Sequence, residues 1–254
     1  MRDHEKPEIR KLPLFRDMQT ENFERLMQAA YAQAFPAQLD LIHQGEPADF
    51  LHIVMEGAVE LYAKWRSNET TMAVVRPVST FILAACIKDA PYLMSARTVE
   101  KSRIIMIPAE DLRATFRIDP DFAVSTISEL ASCYRSVVRH AKELKLRNSR
   151  ERVAAYIQRQ SRRAGDAASF ILPAEKKLLA SYLGMTPENF SRAVKSLQPF
   201  GVVMDGPRII ITDRGALDQV AGTNPLIDGP DPSAESPRLE TDGPSNIPGH
   251  LKVI

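Results

Sequence analysis

Between Ala34 and Ile107 the apolar residues come in short runs broken by turn-formers. Leu39–Ile42 precedes the turn Gln44-Gly45-Glu46-Pro47, Phe50–Met55 ends at Glu56-Gly57, and Val59–Trp65, Thr71–Val75 and Arg103–Ile107 follow. Runs of this length, bounded by glycine, proline and polar residues, predict strands, and their repetition predicts an antiparallel sandwich or barrel. After Asp119-Pro120, a helix-starting pair, the period changes. Ile127, Leu130, Tyr134, Val137, Ala141 and Leu144 are separated by alternating steps of 3 and 4, the spacing of a heptad seam. A stripe that narrow buries little against its own domain, so it predicts the same helix of a second subunit as partner. Packing inside one chain is the alternative.

Further along, Phe190, Ala193, Val194 and Leu197 fall at i, i+3, i+4 and i+7, one apolar stripe of a helix. Thr186 can cap its start and Pro187 can take the first helical position, where no N–H partner is needed. Glu188, Ser191, Arg192 and Lys195 share a different face. The helix before it has Leu179, Tyr182 and Leu183 as its apolar set, with Ala180 small enough for a close crossing and Gly184 for the turn. The spacing predicts a helix-turn-helix whose polar face is either merely solvated or reaches base edges and phosphates from the major groove. Ile209–Ile211, after Asp205-Gly206-Pro207, predicts a strand, so a hairpin wing begins near Val202. From Gly222 onward proline, glycine, serine and aspartate dominate without a hydrophobic period, which predicts a disordered tail.

Composition adds bounds. A chain of 254 residues accommodates two modest domains, and a net charge of +1 carries no global polyelectrolyte signature. The basic charge is local: Arg135, Arg139, Lys142, Lys145, Arg147, Arg150, Arg152, Arg159, Arg162 and Arg163, opposed by Glu143 and Glu151. Such a run is either a solvated helix surface or a set of phosphate contacts with salt-dependent affinity. The 2 cysteines suggest a reducing compartment and no disulfide framework. The N-terminus, MRDHEKPEIRKLPLF, is charged and lacks the apolar core of a secretory signal. No segment approaches the roughly 18 continuous apolar residues of a membrane helix. The expected location is cytoplasmic, with no membrane partner. P-loop, H-E-x-x-H and G-x-S-x-G patterns are all missing, and the expectation is a protein that is not an enzyme.

The stretch LGMTPENFSR, with Glu188, Ser191 and Arg192 in the order E-x-x-S-R, resembles the recognition helix of the Crp/Fnr superfamily of bacterial transcription regulators. It is similar to the Fnr side, since glycine usually replaces Ser191 on the Crp side. HQGEPADFLHIVMEGAVELY is similar to the cyclic-nucleotide-binding fold, in which glycines turn the roll at the places of Gly45 and Gly57. The resemblance implies an α+β chain: a β-roll effector domain over 1–118, a dimerisation helix over 119–147, a winged helix-turn-helix over 148–221, and the tail over 222–254. It also implies a homodimer on double-stranded DNA with a pseudo-palindromic, TTGAT-like operator. Carried over, Arg192 goes bidentate to a guanine, Glu188 accepts from a cytosine N4 amine and Ser191 selects the adjacent thymine. Thr186, Pro187 and Lys195 complete the DNA-facing set. Pro187 departs from the valine or arginine of well-known members, so the outermost base preference does not carry over. An activator of this kind has RNA polymerase as a further partner.

Members that bind a cyclic nucleotide carry a glycine and a glutamate, then an arginine followed by Ser-Ala. Here the segment from Phe81 to Arg97 reads FILAACIKDAPYLMSAR. Apolar residues replace the glycine and glutamate, Tyr92 stands where the phosphate arginine belongs, and Arg97 aligns with the following strand. Cyclic AMP is therefore not the expected effector. Phe81, Ile82, Leu83, Ile87, Leu93 and Met94 predict either a filled core or an apolar pocket, with His52, Cys86, Tyr92 and Arg97 as further effector-site candidates. A four-iron cluster needs four thiolates, and Cys86 and Cys133 are too few for an iron–sulfur sensor. Cys86 also lacks the nearby histidine with which the family's CO sensor holds haem.

DAPYLMSARTVEKSRIIMIPAEDLR and LKLRNSRERVAAYI look similar to the nitric-oxide-responsive NnrR and Dnr group. That likeness implies haem, with His52 first and His43 and His140 next as iron ligands. The expectation is a regulator gated by haem-bound nitric oxide. The alternative is a regulator that binds DNA constitutively or answers to the thiol of Cys86, whose apolar neighbourhood would blunt its reactivity.

Overall fold

Proline and apolar residues close to the N-terminus set up three short helices ahead of the first strand. The computed structural model describes Arg2 and residues 4–229. Helices α1 (Glu5–Arg10), α2 (Pro13–Arg16) and α3 (Thr20–Ala29) lead in, with Leu12 extended ahead of Pro13 at the start of α2. Strands β1 (Tyr31–Phe35), β2 (Asp40–Ile42), β3 (Phe50–Glu56), β4 (Val59–Trp65), β5 (Asn68–Val75) and β6 (Ser79–Phe81) follow. After α4 (Leu83–Lys88) come β7 (Ser95–Thr98), β8 (Ser102–Pro108), α5 (Ala109–Ile118) and the long α6 (Pro120–Leu146).

The strands form two antiparallel sheets, ordered β1-β8-β3-β6 and β2-β7-β4-β5. Leu51, Ile53, Val59, Leu61, Ala96, Ile104 and Ile105 fill one core with Ile9, Phe15, Leu26, Leu112 and Phe122 from the helices. Each such side chain, fully buried, contributes about 1.5–3 kcal/mol relative to exposure. Phe15 stacks on Phe122 with centroids 6.0 Å apart, which ties the start of α6 to the N-terminal helices. Asp119 supplies the polar half of that joint. Its carboxylate accepts from Phe122 N at 3.0 Å, capping α6, and from Gln19 N and Asn22 Nδ2 at 2.9 and 3.0 Å.

By its contacts the chain divides inside α6, between Tyr134 and Arg135, so this helix serves two compact units and is not a unit of its own. In the second unit, α7 (Ser149–Arg163) starts with a capping box. Glu151 N donates to Asn148 Oδ1 at 3.1 Å, and Asn148 N donates to Glu151 Oε2 at 2.9 Å. β9 (Ser169–Ile171), α8 (Lys176–Tyr182), α9 (Pro187–Lys195), β10 (Val202–Asp205), β11 (Arg208–Ile211) and α10 (Arg214–Ala221) follow. The sheet order is β10-β11-β9, a hairpin wing joined by a third strand. Val153, Ala154, Tyr156, Ile157, Leu179, Phe190, Leu197 and Ile209 form its core.

The disorder expected from Gly222 onward does not begin there. α11 (Pro225–Asp228) is capped by Asn224, whose Oδ1 accepts from Leu226 N at 2.8 Å, and Asp228 is held by two arginines. Residues 230–254, the rest of that tail, lie outside the described residues.

Candidate nucleic-acid interface

α8 and α9 meet through a turn that Gly184 makes possible. At φ +64° it sits in the left-handed region, with its N–H donating to Ser181 O at 2.9 Å and Met185 N donating to Ala180 O at 3.0 Å. Thr186 then caps α9, its hydroxyl accepting from Asn189 N at 3.2 Å, and Pro187 occupies the first turn. Phe190, Ala193, Val194 and Leu197 point into the core, while Thr186, Pro187, Glu188, Ser191, Arg192 and Lys195 are exposed. The carboxyl of Glu188 is held below its usual range by its own backbone N–H, the Thr186 hydroxyl and then the Arg192 charge, so it is a ready acceptor. Arg192 Nη2 donates to Asn189 Oδ1. Asn189 lies beside the expected contact set, and the sequence pattern did not single it out.

The basic run before the helix-turn-helix separates into different roles. Arg147 and Arg159 are buried ion-pair partners of Glu143 and Asp228, unavailable to phosphates. Arg152 Nη1 donates to the carbonyls of Leu144 and Arg147 at 3.1 and 3.2 Å, and Arg150 Nε donates to Ser196 Oγ at 3.0 Å. Charge counted along the sequence therefore overstated the surface the run offers to DNA.

Along α6, Ile127, Tyr134, Val137 and Leu144 are exposed apolar side chains and Ala141 is half-buried. Leu130 differs: it packs against the core of the roll. Val124 and Val138, outside the expected seam, are exposed on α6 as well.

The effector-site candidates do not converge on an open pocket. Phe81, Leu83, Cys86 and Tyr92 are buried members of the hydrophobic core, and Ile82, Ile87 and Met94 pack against it. Leu93 is 83% exposed, in the link between α4 and β7, and lines nothing. Register explains Arg97. It pairs with Glu60 while its neighbour Ala96 pairs with core-facing Leu61, so Arg97 lies on the sheet face turned away from the core. There its guanidinium bonds Glu60 at 2.8 Å and Glu69 at 2.6 Å and lies over the Tyr62 ring. Its charge is already matched.

The candidate haem ligands are equally dispersed. His43 is exposed in the turn after β2. His52 is buried in β3 against Phe81. His140 stacks on Tyr182, centroids 4.7 Å apart, with burial the first cause lowering its pKa. A haem needs a slot beside its axial nitrogen, and the residues around His52 are packed against one another instead. This arrangement does not fit the group. Among the described residues no cluster of three or more His, Cys, Asp or Glu is placed to hold a metal ion. No helix among them is long and apolar enough to cross a membrane. Burial pushes the Cys86 thiol up to about 12, far from the thiolate that redox sensing uses.

Residues 32–119 match the cyclic nucleotide-binding domain family, and residues 151–220 match the Crp-like helix-turn-helix domain family. The anaerobic regulatory protein of Pasteurella multocida is 24% identical over 188 residues, 72% of this chain and 69% of that protein. The transcriptional activator protein FnrL of Cereibacter sphaeroides is 26% identical over 226 residues, 80% and 85% of the two chains. In fold the chain is like FixK2 from Bradyrhizobium japonicum, with a TM-score of 0.66 and 24% identity, covering 77% of this chain and 98% of that one.

Proposed function

From the premise that the chain belongs to the Crp/Fnr family of DNA-binding transcription regulators, which are not enzymes, we propose that it binds a pseudo-palindromic operator as a homodimer through α9. The carrying observation is the capped α9, with Glu188, Ser191, Arg192 and Lys195 together on its exposed side and its opposite stripe buried. Arg192 reads a guanine, Glu188 a cytosine amine and Ser191 the neighbouring thymine of a TTGAT-like half-site, while Lys195 and the Thr186-Pro187 start of the helix face the backbone. The exposed apolar residues of α6 meet their copies in a second subunit. Two half-sites about 34–36 Å apart then face the two recognition helices. If the dimer activates, RNA polymerase is its further partner.

For control, the packing supports DNA binding that needs no haem and no thiol chemistry. The haem and nitric oxide reading would require Phe81 to leave His52 and the core beside it to open. Thiol control would require Cys86, 0% exposed, to reach solvent. Enrichment of operators from a random duplex library, run with and without haem and nitric oxide, tests both levels. The expected result is one enriched pseudo-palindrome with TTGAT-like halves, unchanged by either addition. Enrichment only with haem would return the gas-sensing reading, and no enrichment at all would remove the DNA-binding one.

A further inference from the structure

The joint between α6 and α7 holds four charged side chains that the DNA-facing surface does not use. Arg147 follows the last residue of α6, and its Nη2 and Nη1 donate to Asp228 Oδ2 and Oδ1 at 2.5 and 2.8 Å, a bidentate pair. Arg159, on α7, donates from Nη1 to Asp228 Oδ1 at 3.1 Å and from Nη2 to both Glu143 oxygens at 2.9 and 3.1 Å. Glu143 is on α6, one turn before Arg147. Arg147 Nη2 also reaches Gly222 O at 3.1 Å, and Asp228 Oδ2 accepts from Asn224 N at 2.9 Å. Side-chain exposure is 6% for Arg147, 5% for Glu143, 18% for Arg159 and 1% for Asp228.

Two guanidiniums face two carboxylates, so the cluster is neutral as a set. A buried ionic set of this kind adds little net stability but fixes geometry, because removing one member strands a charge in the interior. Three of the four residues, Glu143, Arg147 and Asp228, lie outside the segments 32–119 and 151–220 that match the family domains. The device thus belongs to this chain's own link and C-terminal segment. Its place matters because α7 packs against α9 and is joined to the end of α6 through Arg147-Asn148.

We propose that Asp228 is a positioning residue for DNA recognition: α11 closes a buried ionic latch over the α6–α7 joint and so fixes the direction of the recognition helix relative to the end of the seam helix. The proposal rests on the dimeric DNA-binding reading above. A dimer reading two half-sites needs both helices at one separation, and a loosened joint spreads that separation over many values.

The test uses the full-length chain, Asp228→Asn, and the double variant Asp228→Asn with Arg147→Gln, which removes the stranded guanidinium and keeps a foldable comparison. Amide exchange is followed over residues 143–152 and over α9. Binding is measured to the two-half-site operator, to versions with the half-sites moved by one base pair, and to a single half-site. In both variants the joint amides are expected to exchange roughly tenfold faster, with α9 unchanged. Affinity for the intact operator should fall by roughly tenfold while single-half-site affinity holds, and the preference for one spacing should flatten. The double variant should regain melting temperature without regaining either property. Unchanged joint exchange overturns the latch whatever the DNA result, and faster exchange with an unaltered spacing preference overturns its positioning role. A wild-type chain that binds no duplex removes the DNA-binding reading and the positioning role with it, while the exchange data still decide whether the latch exists.

Discussion

Phe81 lies nearly flat on the imidazole of His52, ring centroids 4.9 Å apart and planes 21° from parallel. The two face each other across β6 and β3 in register. His52 is 3% exposed and its Nδ1 has no hydrogen-bond partner, so the ring is held neutral in an apolar setting. Burial lowers its pKa to about 4, against a weaker upward pull from the Phe50 backbone.

An acid-lability follows from that pair. In the unfolded chain the imidazole takes a proton near pH 6.5, whereas in the fold it resists until about 4. The unfolded state therefore binds more protons across this window, and stability, complete above pH 6.5, falls as pH drops toward 4. The loss from this one group is on the order of 3 kcal/mol. Urea unfolding at a series of pH values, for the wild type and His52→Leu, measures it. The variant should show a shallower acid slope, and parallel curves would mean that His52 is not a buried neutral imidazole.

Gly45 and Gly57 both carry positive φ, +93° and +85°, yet they should tolerate alanine differently. At Gly45 an added Cβ meets nothing within 4 Å, so only backbone strain is incurred, about 1 kcal/mol. At Gly57 it would stand 2.6 Å from Lys101 O and 2.7 Å from Ser102 Cα, which obliges the β3–β4 turn or the start of β8 to move. Gly57→Ala should cost roughly 3 kcal/mol or more, in thermal melts of the same chain. Equal melting temperatures for the two variants would contradict the close approach.

On DNA, Arg192 and Lys195 should fail in different ways. Arg192→Ala is expected to cost about 1–3 kcal/mol at one base pair and to relax selectivity there. Lys195→Ala should weaken all sequences alike and reduce the slope of log affinity against log salt by about 0.9. Binding isotherms at several salt concentrations, on the operator and on single-base variants, separate the two. A loss of selectivity with Lys195→Ala, or none with Arg192→Ala, would reverse their roles.

The strands of the roll and the two helices of the recognition unit were legible because each carries its own period and its own caps. Alternation marks Phe50–Glu56 and Val59–Trp65, and Thr186-Pro187 announces α9 within two residues. What escaped depends on partners distant in sequence. Asp228 sits among proline and glycine, a composition that reads as disorder, and its order comes from Arg147, 81 positions away. Arg147 and Arg159 look no different from Lys142 or Lys145 until buried carboxylates are found beside them. The charged N-terminus hides Ile9, Leu12 and Phe15, which are core residues. β9 has no pattern of its own in 3 residues and exists because β11 offers an edge.

The seam of α6 shows the same limit, and it can be decided by a pair of substitutions. A heptad spacing identifies which residues are apolar on a helix but not which of them meet the helix's own domain. Ile127 is 60% exposed, whereas Leu130 packs on the core of the roll. Ile127→Glu should leave the subunit folded, with a melting temperature close to wild type in the monomer, and should weaken dimerisation by several kcal/mol through a charge buried at the two-fold contact. Leu130→Glu should instead destabilise the roll itself by roughly 2–5 kcal/mol, since a carboxylate enters an apolar site made for a leucine. Val124, exposed one turn before Ile127, should behave like Ile127. Sedimentation equilibrium reads the first effect and urea unfolding the second. If Ile127→Glu stays dimeric at concentrations where the wild type is dimeric, the copies meet through another surface, and the half-site geometry has to be drawn from that surface instead.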